Sequence, residues 1–355
     1  MRVVLAYAGS LAGSAAIAWL RETRHLDVVA VTLDLGQGRQ LEAVRDRALA
    51  LGARRAHVLD AREEFGRRFV LPALLADAMH AGTVPMSLAL SRPIIAEKLV
   101  EMAAVERADA VAHAGLAGEA SRLHRLLRSI APATAILAPV QEWRLSADDL
   151  AAFGRRHGLL AGPTLAARGE VTFWGRSRSC DPAEAGKAVA SFFTGVRPAA
   201  DCPSEAASVD IAFERGVPTS LNGIALPLIE LVAALNTLAS THGVGRAVHE
   251  GLLCDAPAAV LLHASHRALT RAAAAPDVLR LGDILGAEYA SLIDEGRWFS
   301  PLRPALDAFV QAAQAPVSGC VRLSLFRGTH ETIGVELSQP PRTSAAVTPL
   351  LSRKH

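Results

Sequence analysis

The strongest chemical signal in the sequence is Ala6-Tyr7-Ala8-Gly9-Ser10-Leu11-Ala12-Gly13-Ser14. An apolar run enters this loop of small residues and a helical pattern leaves it. Successive backbone N–H groups at such a turn, with a helix dipole behind them, suit a phosphate or pyrophosphate. Glycine lets the backbone approach the anion closely. The segment fits neither GxGxxG nor GxxxxGK(S/T), and an ordinary strand-to-helix turn has the same composition. Other candidates are weaker. His113 closes an apolar run, where a histidine serves either as a bonded structural group or in catalysis. His263 and His266 share one helical face but have no third ligand near them in sequence, so a metal site is not indicated. Cys254 has no paired base and reads as a small buried hydrophobe. The arginines from Arg122 to Arg128 read as a solvated helix face, with Arg122 the candidate for a carboxylate. Trp174 and Trp298 read as packing residues.

The elements that would position the loop alternate in type. Val3 to Tyr7, Val28 to Leu33, Ala56 to Leu59, Ala110 to His113 and Ala135 to Pro139 are short apolar runs of the kind found in buried parallel strands. Between and after them, Ser14 to Glu22, Leu41 to Leu51, Arg92 to Arg107 and Ser146 to Gly158 carry helical patterns. Gly52 stops the second of these helices and Ser146 caps the last. This alternation predicts an α/β fold, a doubly wound, mostly parallel sheet over residues 1–160. The pattern breaks from Leu160 to Gly169. Residues 161–338 then read as a smaller α+β domain. Val209 to Phe213 and Thr219 to Gly223 form a hairpin there. Helices are expected near Leu226 to His242, Ala256 to Leu269, Leu281 to Glu295 and Pro301 to Ala313, before a final strand pair from Val321. Residues 339–355, with Pro340 and Pro341, predict a poorly ordered tail.

Length and composition agree with that division. The 355 residues suit about two domains. A chain 51% apolar and 20% charged has globular composition, and a net charge of +2 argues against nucleic-acid or membrane-surface partners. Cys180, Cys202, Cys254 and Cys320 form no CxxC pair, which argues against a zinc or disulfide framework. The apolar run from Val3 to Ala8 is too short for a secretion signal, so the expected location is the cytoplasm.

Several ordered blocks carry a resemblance. They are Val28 to Gln37 (VVAVTLDLGQ), Leu41 to Gly52, Asp60 to Phe65, Ala89 to Val100 with Arg92-Pro93, Trp174 to Ser177, Glu214 to Pro218, His242 to Arg246, and Trp298 to Pro301. With the loop, they resemble the argininosuccinate synthase family of the N-type PP-loop ATP pyrophosphatase group. The resemblance implies a PP-loop nucleotide domain followed by a synthetase-like domain. It implies ATP and Mg²⁺ as cofactors, and small amino-acid substrates. The implied reaction joins the ureido group of citrulline to the amine of aspartate. The ureido oxygen attacks the α-phosphorus, pyrophosphate leaves, and aspartate then displaces AMP. ATP contacts are implied at Ala6, Tyr7, Gly9, Ser10, Ser14, Leu33 and Gly115, and substrate contacts at Arg122, Ser177 and Glu250. No resident metal ligand is implied. A homo-oligomer is compatible with the family, although its C-terminal oligomerisation tail has no match after Val335.

The sequence departs from the family pattern at chemically costly places. Where the family loop reads roughly SGGLDTS, Gly9, Leu11 and Ser14 match, but Ala8, Ser10, Ala12 and Gly13 do not. Ala12 removes a carboxylate that can orient Mg²⁺ or the loop, which puts Mg²⁺ in doubt. Val84 and Leu88 stand where a tyrosine and a threonine hold citrulline, leaving a polar ligand unpaired. His113 to His124 is shortened, with Leu116 for a threonine, Glu119 beside Arg122 and His124 for a glutamate. Arg168 to Thr172 replaces an SxDEN pattern. After Arg246 a deletion leaves Glu250 to stand for a glutamate and Cys254 for a tyrosine. Apolar replacements argue against an unaltered argininosuccinate synthase. They imply an AMP-forming ligase changed in substrate or impaired. A catalytically inactive paralogue, keeping the fold as a scaffold or regulatory partner, is the alternative.

Overall fold

The computed structural model describes residues 1–38, 40–115, 117–143, 146–158, 170–180 and 192–338. β1 (Arg2–Ala6) keeps Val3, Val4 and Leu5 fully out of solvent, as a strand covered on both faces requires. It pairs in parallel with β2 (Asp27–Asp34), which pairs with β3 (Arg55–Asp60). Between them run α1 (Leu11–Glu22) and α2 (Leu41–Ala50). They cover one face of the sheet, packing Ile17, Leu20 and Val44 on Val3, Leu5 and Tyr7. Ser10, rather than Ser14, marks the start of α1, because its hydroxyl caps the helix.

A helical stretch follows, α3 (Arg62–Phe65), a π-turn at Gly66–Val70 and α4 (Leu71–Leu75). A small hairpin comes next, β4 (Met79–His80) and β5 (Val84–Pro85). α5 (Leu88–Val105) begins before the expected Arg92 and carries Pro93 in its interior. Its Leu90, Ile94 and Leu99 cover the other face of the sheet with Val4, Val29 and Val31. Then come β6 (Ala110–His113), α6 (Ala117–Ile130), β7 (Ala135–Leu137), α7 (Pro139–Glu142) and α8 (Ala147–Arg156), the last closed by a capping box between Ser146 and Asp149. The sheet order β3-β2-β1-β6-β7 places the winding reversal between β1 and β6. In open α/β sheets, ligands bind at the carboxyl ends of the strands at such a switch point.

The remaining strands form two antiparallel sheets. One holds β8 (Glu170–Thr172), β9 (Gly175–Ser179), β13 (Arg246–His249) and β14 (Leu252–Asp255) in the order β13-β14-β9-β8. The other holds β10 (Ala207–Glu214), β11 (Val217–Leu221), β12 (Ile224–Ala225), β15 (Gly319–Phe326) and β16 (Thr329–Leu337) in the order β12-β11-β10-β15-β16. The β10–β11 hairpin agrees with the sequence pattern. The helices here are α9 (Leu228–Thr241), α10 (Pro257–Ala273), α11 (Pro276–Asp294) and α12 (Leu302–Gln314). α11 starts earlier than the expected Leu281, with Pro276 at its first position, where proline's missing N–H is harmless. One apolar cluster runs through both halves. Val31, Phe65 and Leu99 belong to it together with Trp174, Leu261 and Val321, and so do Val84 and Cys254. Among the described residues no helix is long and apolar enough to cross a membrane. The expected boundary from Leu160 to Gly169 and the tail 339–355 lie outside the described residues.

Candidate functional site

The loop after β1 is tied down before it turns. Tyr7 N–H donates to the Val31 carbonyl at 2.9 Å, and Thr32 Oγ1 donates to the Tyr7 carbonyl at 2.7 Å. Gly9 then takes a φ of 79°, a conformation glycine adopts without strain. Ser10 Oγ accepts the Gly13 N–H at 3.0 Å, and the Ser14 N–H reaches the Ser10 carbonyl at 2.9 Å. The N–H groups of Leu11 and Ala12 precede that first intrahelical bond and so have no partner within the helix. Ser10 and Gly13 fit each other: a Cβ on Gly13 would lie 3.1 Å from Ser10 Oγ and 3.0 Å from Tyr7 Cδ2. Behind them, Tyr7 Oη and Ser14 Oγ share a buried 3.0 Å hydrogen bond. Burial pushes the Tyr7 phenol up, against the opposing effects of Ser14 and Arg47, so it stays neutral. Arg47, on α2, donates from Nη1 to the Gly9 carbonyl at 3.2 Å.

The residues implied for nucleotide contact therefore gather at the carboxyl ends of the central strands. Ala6 pairs with Val31 on one side and His113 on the other. Leu33 lies further along β2, and Gly115 follows β6, its N–H donating to His113 Nδ1 at 3.2 Å. Asp34, Gly36, Gly38, Leu41, Glu42 and Arg62 line an adjoining cleft of about 550 Å³. Asp34 Oδ1 accepts the Gly36 N–H at 2.8 Å, and Arg62 bridges Asp34 and Asp60. Gly36 has a φ of 89°, and a Cβ there would stand 2.6 Å from Phe173 Cβ. The sequence signal for this cleft was the VVAVTLDLGQ block, which carried the family resemblance but not the position of a cleft wall.

The loop's free N–H groups fit a polyphosphate. A magnesium ion held by protein side chains does not fit: Ala12 offers no side-chain oxygen, and Asp34 is engaged by Arg62 and Gly36. Among the described residues, no group of three histidine, cysteine or acidic side chains is placed to hold a metal.

The second cluster brings Val84, Leu88, Ser177 and Cys254 together. Val84 is buried, and Ser177 Oγ accepts the Leu88 N–H at 3.3 Å. Cys254 sits opposite Ser177 across β9 and β14. Its Sγ lies 3.7 Å from the Pro85 carbonyl and 4.0 Å from Ser87 Oγ. Burial pushes this thiol up to about 12, so it is no nucleophile. Glu250 is not brought to this cluster. It is exposed in the β13–β14 turn at a φ of 43°, with Gly251, Leu252 and Leu253 between it and Cys254. Leu116 lies outside the described residues.

Arg122 joins a network that the solvated-face reading missed. Buried Arg92 grips Glu119 through Nε at 2.6 Å and Nη2 at 2.7 Å. Arg122 reaches Glu119 at 3.4 Å and Asp294 at 3.3 Å. Arg125 and Arg128 also bind rather than face water alone, donating to the carbonyls of Glu295, Pro132 and Thr134. His113, almost fully buried, stacks edge-on against His124 at 4.8 Å between ring centroids. Burial, with His124 nearby, lowers its pKa to about 4, so it is neutral. His263 and His266 take separate partners, Asp77 at 2.9 Å and Gln314 at 2.9 Å. Trp174 and Trp298 are buried packing residues.

The comparisons with known proteins cover both halves. Residues 2–160 match the family described as the arginosuccinate synthase N-terminal HUP domain, and residues 170–339 match its C-terminal domain. An argininosuccinate synthase of Rubrobacter xylanophilus is 38% identical over 348 residues, covering 94% of this chain and 85% of the relative. One of Bacillus licheniformis is 40% identical over 344 residues, covering 92% and 85%. One of Dehalococcoides mccartyi is 35% identical over 348 residues. With both halves matched in order and identity sustained along the chain, this protein belongs to the argininosuccinate synthase family.

Proposed function

We propose that the chain binds ATP at the β1–β6 crevice and acts as an AMP- and pyrophosphate-forming carbon–nitrogen ligase. Its acceptor is smaller or less polar than citrulline. The observation that carries the nucleotide reading is the loop, where Leu11 and Ala12 present free N–H groups at the switch point. ATP supplies the chemistry of activation, making the acceptor oxygen a leaving group. The loop dipoles would hold the departing pyrophosphate, and the buried Tyr7–Ser14 pair would keep the loop rigid. Altered acceptor choice is supported by Val84 and Cys254. They are packed into the core where the family pattern has hydroxyl groups, so they offer no partner to a ureido group. We further propose a nucleotide unit over residues 1–160, a synthetase-like unit over 161–338, and residence in the cytoplasm.

A second reading, an inactive paralogue, is favoured by the Arg92–Glu119–Arg122–Asp294 network. Two arginines there are matched by two carboxylates of the chain itself, which compete with a substrate carboxylate. Pyrophosphate release from ATP separates the readings. It is measured with citrulline plus aspartate, then with a panel of ureas, amides and amino acids. Release with an apolar acceptor but not with citrulline supports the ligase of altered specificity. Release with citrulline plus aspartate at an ordinary rate overturns it. Nucleotide binding without release from any acceptor supports the inactive paralogue.

A further inference from the structure

We propose that Arg47 supplies the positive charge for an anion at the Ala8–Ser14 loop, so that pyrophosphate or a nucleotide polyphosphate binds there without a protein-held divalent cation. This rests on the nucleotide reading above and goes beyond it by assigning the counter-charge.

Three observations converge on Arg47. Its Nη1 donates to the Gly9 carbonyl at 3.2 Å, which fixes the guanidinium against the loop from α2. That bond uses one of five N–H donors and leaves the rest for a ligand. Among the described residues Arg47 makes no ion pair, whereas Arg45 on the same helix pairs with Asp46 at 2.8 Å. A half-buried guanidinium without a carboxylate is poised for an incoming anion. It is also close enough to the Tyr7 hydroxyl to act on it electrostatically.

The loop itself points the same way. Ala12 leaves it without a carboxylate, and Ser10 has turned its hydroxyl inward onto Gly13 N–H. Of the two acids lining the neighbouring cleft, Asp34 and Glu42, Asp34 is engaged by Arg62. A polyphosphate arriving at the loop meets backbone dipoles and the Arg47 guanidinium, with no carboxylate on the loop itself to repel it or to anchor a cation.

Calorimetric titration of the full chain with inorganic pyrophosphate, in EDTA and then in Mg²⁺, tests this. The unaltered chain should bind in EDTA. Arg47→Gln should weaken binding on the order of tenfold to a hundredfold, the loss expected for a charge-assisted contact, while Arg47→Lys keeps most of it. Ala12→Asp should weaken binding in EDTA and recover it with Mg²⁺. If Arg47→Gln fails to fold by circular dichroism, the Lys and Asp variants decide. Binding that requires Mg²⁺ in the unaltered chain, or is unchanged in Arg47→Gln, overturns the proposal while leaving the nucleotide reading intact. Absence of binding by both pyrophosphate and ATP, with and without Mg²⁺, overturns both.

Discussion

Ser10 and Gly13 should behave as one unit, and substitution can measure how strongly. In Gly13→Thr the new Cβ meets Tyr7 Cδ2 at 3.0 Å and Ser10 Oγ at 3.1 Å, both tighter than ordinary contact. Overpacking of this kind costs about 1–3 kcal/mol, and leaving glycine in the first helical turn returns a few tenths. The expected net loss is therefore about 2 kcal/mol. Ser10→Gly alone removes the cap on Gly13 N–H, at a loss of only a few tenths of a kcal/mol. The double variant removes one of the two obstacles, so its loss should fall below the sum by about 1 kcal/mol. Thermal unfolding reads this out: at roughly 2–4 °C per kcal/mol, Gly13→Thr should melt about 4–8 °C lower. The double variant should melt clearly higher than Gly13→Thr. Strict additivity of the two changes would refute the claim that these residues fit each other.

Other outcomes follow from the same geometry. Arg92→Met should destabilise by about 2 kcal/mol, because it leaves the half-exposed Glu119 with only Arg122 at 3.4 Å; a melting shift near zero would contradict that. Burial holds both His113 and His266 near a pKa of about 4, below the unfolded value of roughly 6.5. The unfolded chain therefore binds more protons between those values, so stability present above about pH 6.5 is lost as pH falls towards 4. Melting across that window should fall for the unaltered chain and fall less for His113→Asn. Cys254 should resist thiol reagents at pH 8 while the half-buried Cys180 and Cys320 react. Burial leaves Cys254 a thiolate fraction on the order of one in ten thousand. Mass mapping of the labelled cysteines decides this, and rapid labelling of Cys254 would count against its burial.

Much of the nucleotide half was legible because parallel strands buried on both faces are written as unbroken apolar runs. Val28 to Leu33 is the clearest example. The start of α5 was misplaced because Ser91-Arg92-Pro93 reads as a helix opening, yet Leu88 already carries the first turn. Arg62–Leu75 was missed because a π-turn at Gly66–Val70 breaks the spacing of its apolar residues. The β9 strand, GRSRS, has no apolar residue, so no alternation could reveal the sheet that carries Ser177. At the site, the loop announced itself through its small residues. Arg47 looked like any arginine on an amphipathic helix. The Arg92 bond to the Asp294 carbonyl spans 202 positions, which no local spacing encodes.

The membership of Val84 and Cys254 in the main apolar cluster has a directional consequence. Replacing either with tyrosine, as the family pattern has at those places, would force a ring and a hydroxyl into packed interior. Each insertion costs about 1–3 kcal/mol before any ligand can repay it. These positions therefore act in one direction: an apolar residue sits there with a gain in packing, and a polar one only against a loss. A tyrosine at either place would need neighbours such as Pro85, Ser87 and Leu88 to give way first. Single substitutions to tyrosine at either position should then lower stability.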